Sequence, residues 1–132
     1  TEMIQVAQDT IQYQNWSTPA AMSTLFQVFL EEDYLTPESK KLLLDFMLVS
    51  NKWFDKRIKG LLPKGTVVAH KTGTARTYDG LCRATNDAGI SYLPDGTHLA
   101  ISVFIMNSYD SQEKREQTIA KAAMAAYDYW SN

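Results

Sequence analysis

Residues 66–80 read TVVAHKTGTARTYDG, and this stretch decides how the chain folds. A run rich in β-branched residues begins at Thr66 and leads without a break into KTGT at residues 71–74, so we predict a strand over residues 66–74. Such a strand suits burial, yet it ends on a lysine, two hydroxyls and a glycine. One interpretation is a solvated strand end with a turn glycine. The other is an edge strand whose last residues bind an anion.

The segments on either side of this strand predict helices around a sheet. Two helices with Thr-Pro start signals precede it within a helical segment at residues 17–60. Residues 84–93 and 98–106 predict two further strands joined by the tight turn PDGT. A last helix is predicted at residues 111–130. The predicted buried faces are Met22, Leu25, Phe26, Phe29 and Leu30 in the first helix, Leu42, Leu43, Phe46 and Met47 in the second, and Ile119, Ala122, Ala123, Ala126, Tyr127 and Trp130 in the last.

This order of elements predicts an α/β fold of the α+β sandwich type. Its sheet, at residues 66–106, is antiparallel with three strands and is flanked by helices. Residues 1–16 are rich in side-chain amides and predict an irregular polar loop. The sheet has two faces and the last helix covers only part of them. We therefore expect residues 1–132 to be the C-terminal portion of one domain whose other strands and helices lie elsewhere.

Composition excludes several classes of protein. Hydrophobic residues make up 45% and charged residues 21% of the 132 residues, with a net charge of −2, which is ordinary for a globular chain. We expect no nucleic-acid partner, because the basic residues near 52–64 form a solvated turn rather than a basic face. No apolar run is long enough to span a bilayer. Cys82 is the only cysteine and cannot form an internal disulfide, and the spacing of His70, His98 and Cys82 predicts no metal site.

The residue types in KTGT suit the recognition of a carboxylate and an acyl group. An ammonium at the end of an apolar strand, as on Lys71, needs a partner such as a carboxylate. Thr72 adds a hydroxyl donor, and Gly73 lets a ligand approach the backbone. On an edge strand, the N–H of Thr74 can point at a developing oxyanion. The tripeptide alone also fits a plain strand end.

Several segments in order resemble a known family. VVAHKTGT, ATNDAGISYLPDGTHLAISVFI and a final helix ending in AAYDYW resemble the C-terminal part of the class A serine β-lactamases, in particular their PER-type extended-spectrum subgroup. Residues 1–16 resemble that subgroup's omega loop. The resemblance covers the whole chain. It implies the β-lactamase/transpeptidase-like fold and hydrolysis of β-lactam antibiotics through an acyl-serine intermediate, which confers antibiotic resistance.

The resemblance also implies roles for matching residues. Lys71, Thr72 and Gly73 match the family's third motif, which binds the substrate carboxylate, and the Thr74 N–H supplies half of an oxyanion hole. Glu2 matches the general base that activates the deacylating water. Without the family context, a solvated glutamate near a chain end is the simpler interpretation of Glu2.

Arg57 lies fourteen residues before Lys71. In family members without an arginine on the next strand, where Thr85 stands here, an arginine at this spacing supports the carboxylate pocket. The alternative is a surface arginine at a helix end. Two features depart from the common members. Val6 stands where many carry a polar residue that holds the hydrolytic water, and residues 75–83 form a longer turn, expected to be a flap at the mouth of the pocket.

The family's nucleophile is absent from these residues. The one Ser-x-x-Lys, at residues 111–114, follows the lysine strand, and we interpret Ser111 as a helix N-cap. No Ser-Asp-Asn occurs. We therefore expect the nucleophile in an N-terminal half of the domain, and no turnover from the 132 residues alone. A penicillin-binding D-Ala-D-Ala carboxypeptidase or transpeptidase and a non-catalytic β-lactam-binding module remain alternatives. We expect no cofactor, no metal and no membrane association, and a periplasmic or secreted location by resemblance.

Overall fold

A computed structural model describes residues 16–49 and 55–131 of the chain. The helices are α1 (Pro19–Glu31), α2 (Pro37–Leu48) and α3 (Gln112–Trp130), with a 3₁₀ turn at Ile58–Gly60. The strands are β1 (Val68–Thr74), β2 (Thr77–Tyr78), β3 (Leu81–Tyr92) and β4 (His98–Ser108). The predicted α+β fold is confirmed. The omega-loop-like segment, apart from Trp16, lies outside the described residues.

Each helix begins at a hydroxyl that caps it. The hydroxyl oxygen accepts a hydrogen bond from the backbone N–H three residues on: Thr18 from Ala21 at 3.1 Å, Thr36 from Ser39 at 3.3 Å, and Ser111 from Lys114 at 3.2 Å. A side chain in this position satisfies one of the otherwise unpaired N–H groups of the first turn. The prediction that Ser111 is an N-cap is therefore confirmed.

The central strand of the sheet is β3. It pairs antiparallel with β1 on one side and with β4 on the other, and β2 pairs with its first residues. Since Cys82 pairs with both Thr77 of β2 and Ser108 of β4, β2 lies on the same side of β3 as β1. The three predicted strands are present, and β2 is a fourth that was not predicted. Two residues are too few to give an alternating pattern in the sequence.

The turn between β3 and β4 forms as the PDGT signal predicts. Gly96 has a φ of 85°, which is accessible to glycine at little cost, and its N–H donates to Leu93 O at 3.0 Å. The carboxylate of Asp95 accepts from the hydroxyl of Thr97 at 2.7 Å and from its N–H at 2.9 Å. Both hydrogen bonds lower the pKa of the Asp95 carboxyl, and the bond from the Thr97 hydroxyl has the larger effect.

One face of the sheet packs against α3 and the 3₁₀ turn to form the core. The buried apolar residues of this core are Ile58, Leu62, Val68, Leu93, Ile101, Ile119, Ala123 and Tyr127. Ala120 is buried as well, whereas Ala122 and Trp130 are exposed, so the prediction for these two residues was wrong. The buried stripe on α3 follows residues 116, 119, 120, 123 and 127, and Ala122 falls outside that helical face. Trp130 lies on the same face but is the last residue of the helix, where it stays exposed.

The opposite face of the sheet meets α1 and α2. Ser23 of α1 donates a hydrogen bond to Ser102 of β4 at 3.1 Å, and α2 packs against β1. The prediction of fully buried stripes on these helices was wrong. Met47 is the one buried residue of α2 and α1 has none, while Leu25 is 58% and Phe46 68% exposed. Leu42 and Leu43 are also exposed, and Met22, Phe26, Phe29 and Leu30 are half-buried. Among the described residues, each helix touches the sheet along only part of its apolar face.

No described helix has both the length and the apolar character needed to cross a bilayer.

Strands β1 and β3 lie close together where Gly89 is opposite His70. A methyl group on Gly89 would lie 2.6 Å from both Cα and Cβ of His70 and would also collide with the carbonyl oxygen of Ala69. Backbone atoms cannot move aside without opening the strand pair. This position therefore requires glycine.

We predict that Gly89→Ala destabilises the fold by at least about 1–3 kcal/mol, the usual cost of overpacking a core. The matched control is Gly73→Ala on the same strand pair, because a methyl group there has open space around it. Urea denaturation of both variants and the wild type measures the difference. Equal stability of the two variants would contradict the close approach.

Candidate functional site

The residues KTGT at 71–74 form one edge of the described sheet, which we call the KTGT edge. Strand β1 pairs with β3 on one side, and within residues 16–49 and 55–131 no strand pairs with its other side. The N–H of Ala75 donates to Ala84 O of β3 at 2.8 Å. Because successive N–H groups of a strand point to opposite sides, the N–H of Thr74 points to the open side. The orientation expected of an oxyanion donor is present.

Lys71 lies on the face of the sheet that meets α1. It is opposite Ala88, which is opposite Ser102, the partner of α1. The Lys71 side chain is exposed, and its Nζ donates to Thr72 O at 2.5 Å. No carboxylate in the described part of the chain forms an ion pair with this ammonium. Among those residues the ammonium therefore has no carboxylate counter-charge, and its hydrogen bond goes to a backbone carbonyl at the open edge.

Alternation along β1 places Thr72 and Thr74 on the opposite face from Lys71. The residues of the KTGT edge thus do not share one face of the sheet. They share the open side of β1, which a ligand can reach from either face. The space beside Gly73 is open, because a methyl group placed on its Cα would meet no atom within 4 Å other than those of its chain neighbours.

Arg57 braces the KTGT edge from the core side. Its guanidinium donates to Gly73 O at 3.0 Å, to Asn86 O at 2.8 Å and to Thr74 Oγ1 at 2.5 Å. The residue is 3% exposed, so the alternative of a surface arginine at a helix end is wrong. The side chain holds the backbone of β1 and β3 and does not itself reach open solvent. A role in the carboxylate pocket would therefore be exerted through Gly73 and Thr74.

The counter-charge of Arg57 comes from the C-terminal helix. Glu116 of α3 lies 3.4 Å from the guanidinium, and Gln112 donates to the same carboxylate oxygen at 3.0 Å. Both charged side chains of the pair are buried, at 4% and 6% exposure. Nε of Arg57 is buried and has no partner among the described residues. The ion pair connects α3 to the KTGT edge.

Thr85 lies on β3, at the position where some family members carry an arginine. It is fully buried, and its hydroxyl accepts a hydrogen bond from Nε of Arg115 at 2.8 Å. Arg115 also donates to the carbonyl of Asp110. This second arginine therefore fixes the start of α3 against β3 and does not reach the KTGT edge.

A buried histidine lies directly beneath the KTGT edge. Nδ1 of His70 is 2.9 Å from both carboxylate oxygens of Asp87, and Oδ2 of Asp87 accepts from the N–H of Ile58 at 3.1 Å. No role for His70 was predicted from the sequence, and neither Asp87 nor Glu116 was singled out. For the pair of His70 and Asp87, the available signal was an aspartate inside an apolar strand, because a buried carboxylate requires hydrogen-bond donors. Glu116 stands in a charged run that contains both exposed residues and the buried Arg115, and nothing in the sequence marked it as buried.

The flap expected at residues 75–83 is a short hairpin. Strand β2 pairs with the start of β3, and the two residues between them, Asp79 and Gly80, have positive φ values of 47° and 78°. The buried thiol of Cys82 lies 3.4 Å from the carbonyl oxygen of Ala75. The hairpin is thus anchored at its base, next to Thr74, while Tyr78 at its tip is 58% exposed.

Glu2 and Val6 lie outside the described residues, so the structure does not place the expected general base relative to Lys71. Within the described ranges, no cluster of three or more His, Cys, Asp or Glu residues is suited to a metal ion. The arrangement that is described can hold an anion between an ammonium, a hydroxyl and an outward N–H.

The chain belongs to the β-lactamase enzyme family, whose family model matches residues 1–130. It is 42% identical over 123 residues to the extended-spectrum β-lactamase PER-1 of Pseudomonas aeruginosa, covering 93% of this chain and 40% of that protein. It is 37% identical over 122 residues to β-lactamase VEB-1 of the same organism, covering 92% and 41%. The crystal structure of TLA-1 extended-spectrum β-lactamase matches with a TM-score of 0.87 and 42% identity, over 92% of this chain and 44% of that one. The chain therefore spans about two-fifths of the length of these curated relatives.

We predict that Arg57→Met destabilises the protein by about 3–5 kcal/mol, because it leaves the carboxylate of Glu116 buried without its partner. The control is Lys41→Met. Lys41 and Asp45 form a shorter ion pair, 2.6 Å, but their side chains are 75% and 51% exposed, so its loss should cost only about 0.3–0.5 kcal/mol. Urea denaturation measures both. Similar losses for the two variants would show that burial of the Arg57 pair is not what gives it strength.

Proposed function

We propose that the complete protein hydrolyses β-lactam antibiotics through an acyl-serine intermediate and so confers antibiotic resistance. The observation that carries this proposal is the KTGT edge. There the ammonium of Lys71, which has no carboxylate partner among the described residues, and the outward N–H of Thr74 lie on the same open side of β1. Membership of the β-lactamase family and the names of PER-1 and VEB-1 support it.

Each group on the edge has a proposed task. The ammonium of Lys71 and the hydroxyl of Thr72 bind the carboxylate of the substrate, because a charge-assisted hydrogen bond is stronger than a neutral one. The N–H of Thr74 donates to the carbonyl oxygen as it gains charge, which is where a fixed dipole lowers the barrier. Gly73 leaves room for the acyl group. Arg57 acts from the core side, where it fixes the carbonyl oxygen of Gly73 and the hydroxyl of Thr74.

The remaining chemistry is assigned to groups beyond the described edge. We propose that Glu2 is the general base that activates the deacylating water. The serine nucleophile and its activating base lie in a further part of the domain, because a serine hydrolase needs both and these 132 residues contain no Ser-x-x-Lys ahead of β1 and no Ser-Asp-Asn. Val6 provides no hydrogen bond to hold the water. We propose a periplasmic or secreted location, which cell fractionation tests.

Glu2→Gln in the complete protein tests the assignment of the base. We expect acylation to proceed and deacylation to slow by about 10²–10⁴-fold, the usual contribution of general base catalysis, so that a covalent adduct accumulates. Intact-protein mass spectrometry after mixing with benzylpenicillin detects the adduct. Wild-type-like turnover would overturn the role of Glu2. A stable adduct in the wild type itself would favour a penicillin-binding carboxypeptidase or transpeptidase, and no adduct in either would favour a non-catalytic module.

The 132 residues alone should have no turnover, since they lack the nucleophile. Release of hydrolysed cephalosporin from the purified chain, followed by absorbance, is the measurement. The complete protein at equal concentration is the control. Burst release from the short chain would contradict the proposed division of the site.

A further inference from the structure

Two acidic side chains flank the buried imidazole of His70, the residue directly before Lys71. Its Nδ1 lies 2.9 Å from both carboxylate oxygens of Asp87 on β3. Its Nε2 faces the carboxylate of Asp55, 3.9 Å away in the turn that precedes β1. The imidazole is 4% exposed and the Asp87 side chain is fully buried. His70 is therefore placed between the sheet and residues 55–60, which we call the 55–60 turn.

Asp87 receives a hydrogen bond from each of the two segments that it joins. Its Oδ2 accepts from the N–H of Ile58 in the 55–60 turn at 3.1 Å, and both its oxygens face Nδ1 of His70 on β1. A fully buried carboxylate keeps its position only while donors surround it. Ile58 directly follows Arg57. The hydrogen bond from the Ile58 N–H to Asp87 therefore helps to fix the backbone from which the Arg57 side chain extends.

Gly89 allows the strand that carries His70 to lie close against β3. This residue lies opposite His70, and any side chain on it would collide with the Cα and Cβ atoms of the histidine. The second histidine of the chain, His98, has a different setting. It is exposed at the hairpin end of the sheet, where its ring makes an edge contact with Tyr92 at 4.7 Å. The two histidines thus form a matched pair, one built into the core and one on the surface.

We propose that His70 is a positioning residue for the KTGT edge. By donating its Nδ1–H to Asp87, it orients the carboxylate that holds the 55–60 turn, and the turn in turn holds Arg57 against Gly73 and Thr74. This inference rests on the proposed function, because its effect is expressed as affinity for the substrate carboxylate. His70 itself touches no substrate.

Two substitutions at His70 separate the donor to Asp87 from the rest of the imidazole. His70→Asn keeps an N–H at the position of Nδ1, one bond beyond Cγ. His70→Gln places its N–H near the position of Nε2, towards Asp55, and removes the donor to Asp87. The same two substitutions at His98 are the controls. Kinetics are measured on the complete protein with benzylpenicillin and with its methyl ester, which lacks the charged carboxylate.

We expect His70→Gln to raise KM for benzylpenicillin about tenfold while kcat stays within about twofold, because small displacements at an anion site cost binding steeply. The methyl ester should lose no more than about twofold in kcat/KM. His70→Asn and both His98 variants should stay within about twofold of the wild type for both substrates. Equal losses for the acid and the ester, or a loss in His70→Asn as large as in His70→Gln, would overturn the proposal.

Amide hydrogen exchange at Ile58 gives a second readout that does not depend on activity. The exchange of this N–H should quicken in His70→Gln but not in His70→Asn, and unchanged exchange in His70→Gln would overturn the proposal. If the wild-type protein hydrolyses no β-lactam, the proposed function fails while this readout still tests His70. If His70→Gln does not fold, His70→Asn decides alone, because it keeps the donor and must retain wild-type KM and exchange.

Discussion

The candidate site depends on the hydrogen bonds that the guanidinium of Arg57 makes. This group sits where β1, β3 and α3 meet, and it donates to an oxygen from each of them: Gly73 and Thr74 on β1, Asn86 on β3, and Glu116 on α3. A charged group in this position costs several kcal/mol in lost hydration unless its donors are satisfied. Because its two terminal nitrogens make these four hydrogen bonds, the arrangement around the guanidinium is tightly constrained.

This constraint explains the division of the KTGT edge into a rigid side and an accessible side. Towards the core, Arg57, the Asp87 carboxylate and the buried His70 hold the backbone of β1 in place. Towards solvent, Lys71 has no carboxylate counter-charge among the described residues, and the N–H of Thr74 points to the open side of β1. Preorganised donors of this kind bind charge well because they need no rearrangement when it arrives. The polar interior of the sheet and the open edge are therefore two parts of one site.

The sequence predicted what depends on short-range patterns. Helix starts at Thr18, Thr36 and Ser111, the PDGT turn and the three long strands were all predicted correctly, because capping and turn geometry are local. The importance of Arg57 came from its spacing to Lys71 through a family resemblance, and its burial was not foreseen.

What the sequence did not reveal depends on long-range packing. Glu116 lies within the charged run QEKREQ, where nothing distinguishes the two residues that turn inward, Arg115 and Glu116, from those that stay in water. The apolar stripes of α1 and α2 predicted burial, but periodicity alone does not show how much of an apolar face packs against another element. The position of Glu2 depends on residues outside the described ranges.

The way the flap is attached has a consequence for how such a site can diversify. The contacts of Arg57 end at Thr74, and the hairpin that follows is tied back to the sheet at Ala75, by its N–H to Ala84 and its carbonyl to Cys82. Lengthening a loop beyond a fixed anchor adds little conformational cost, since closure entropy grows only slowly with length. Insertions between residues 76 and 81 can therefore lengthen the flap without loosening the contacts of Arg57 with Gly73 and Thr74. The length of the flap and the bracing of the KTGT edge are therefore separable features of this architecture.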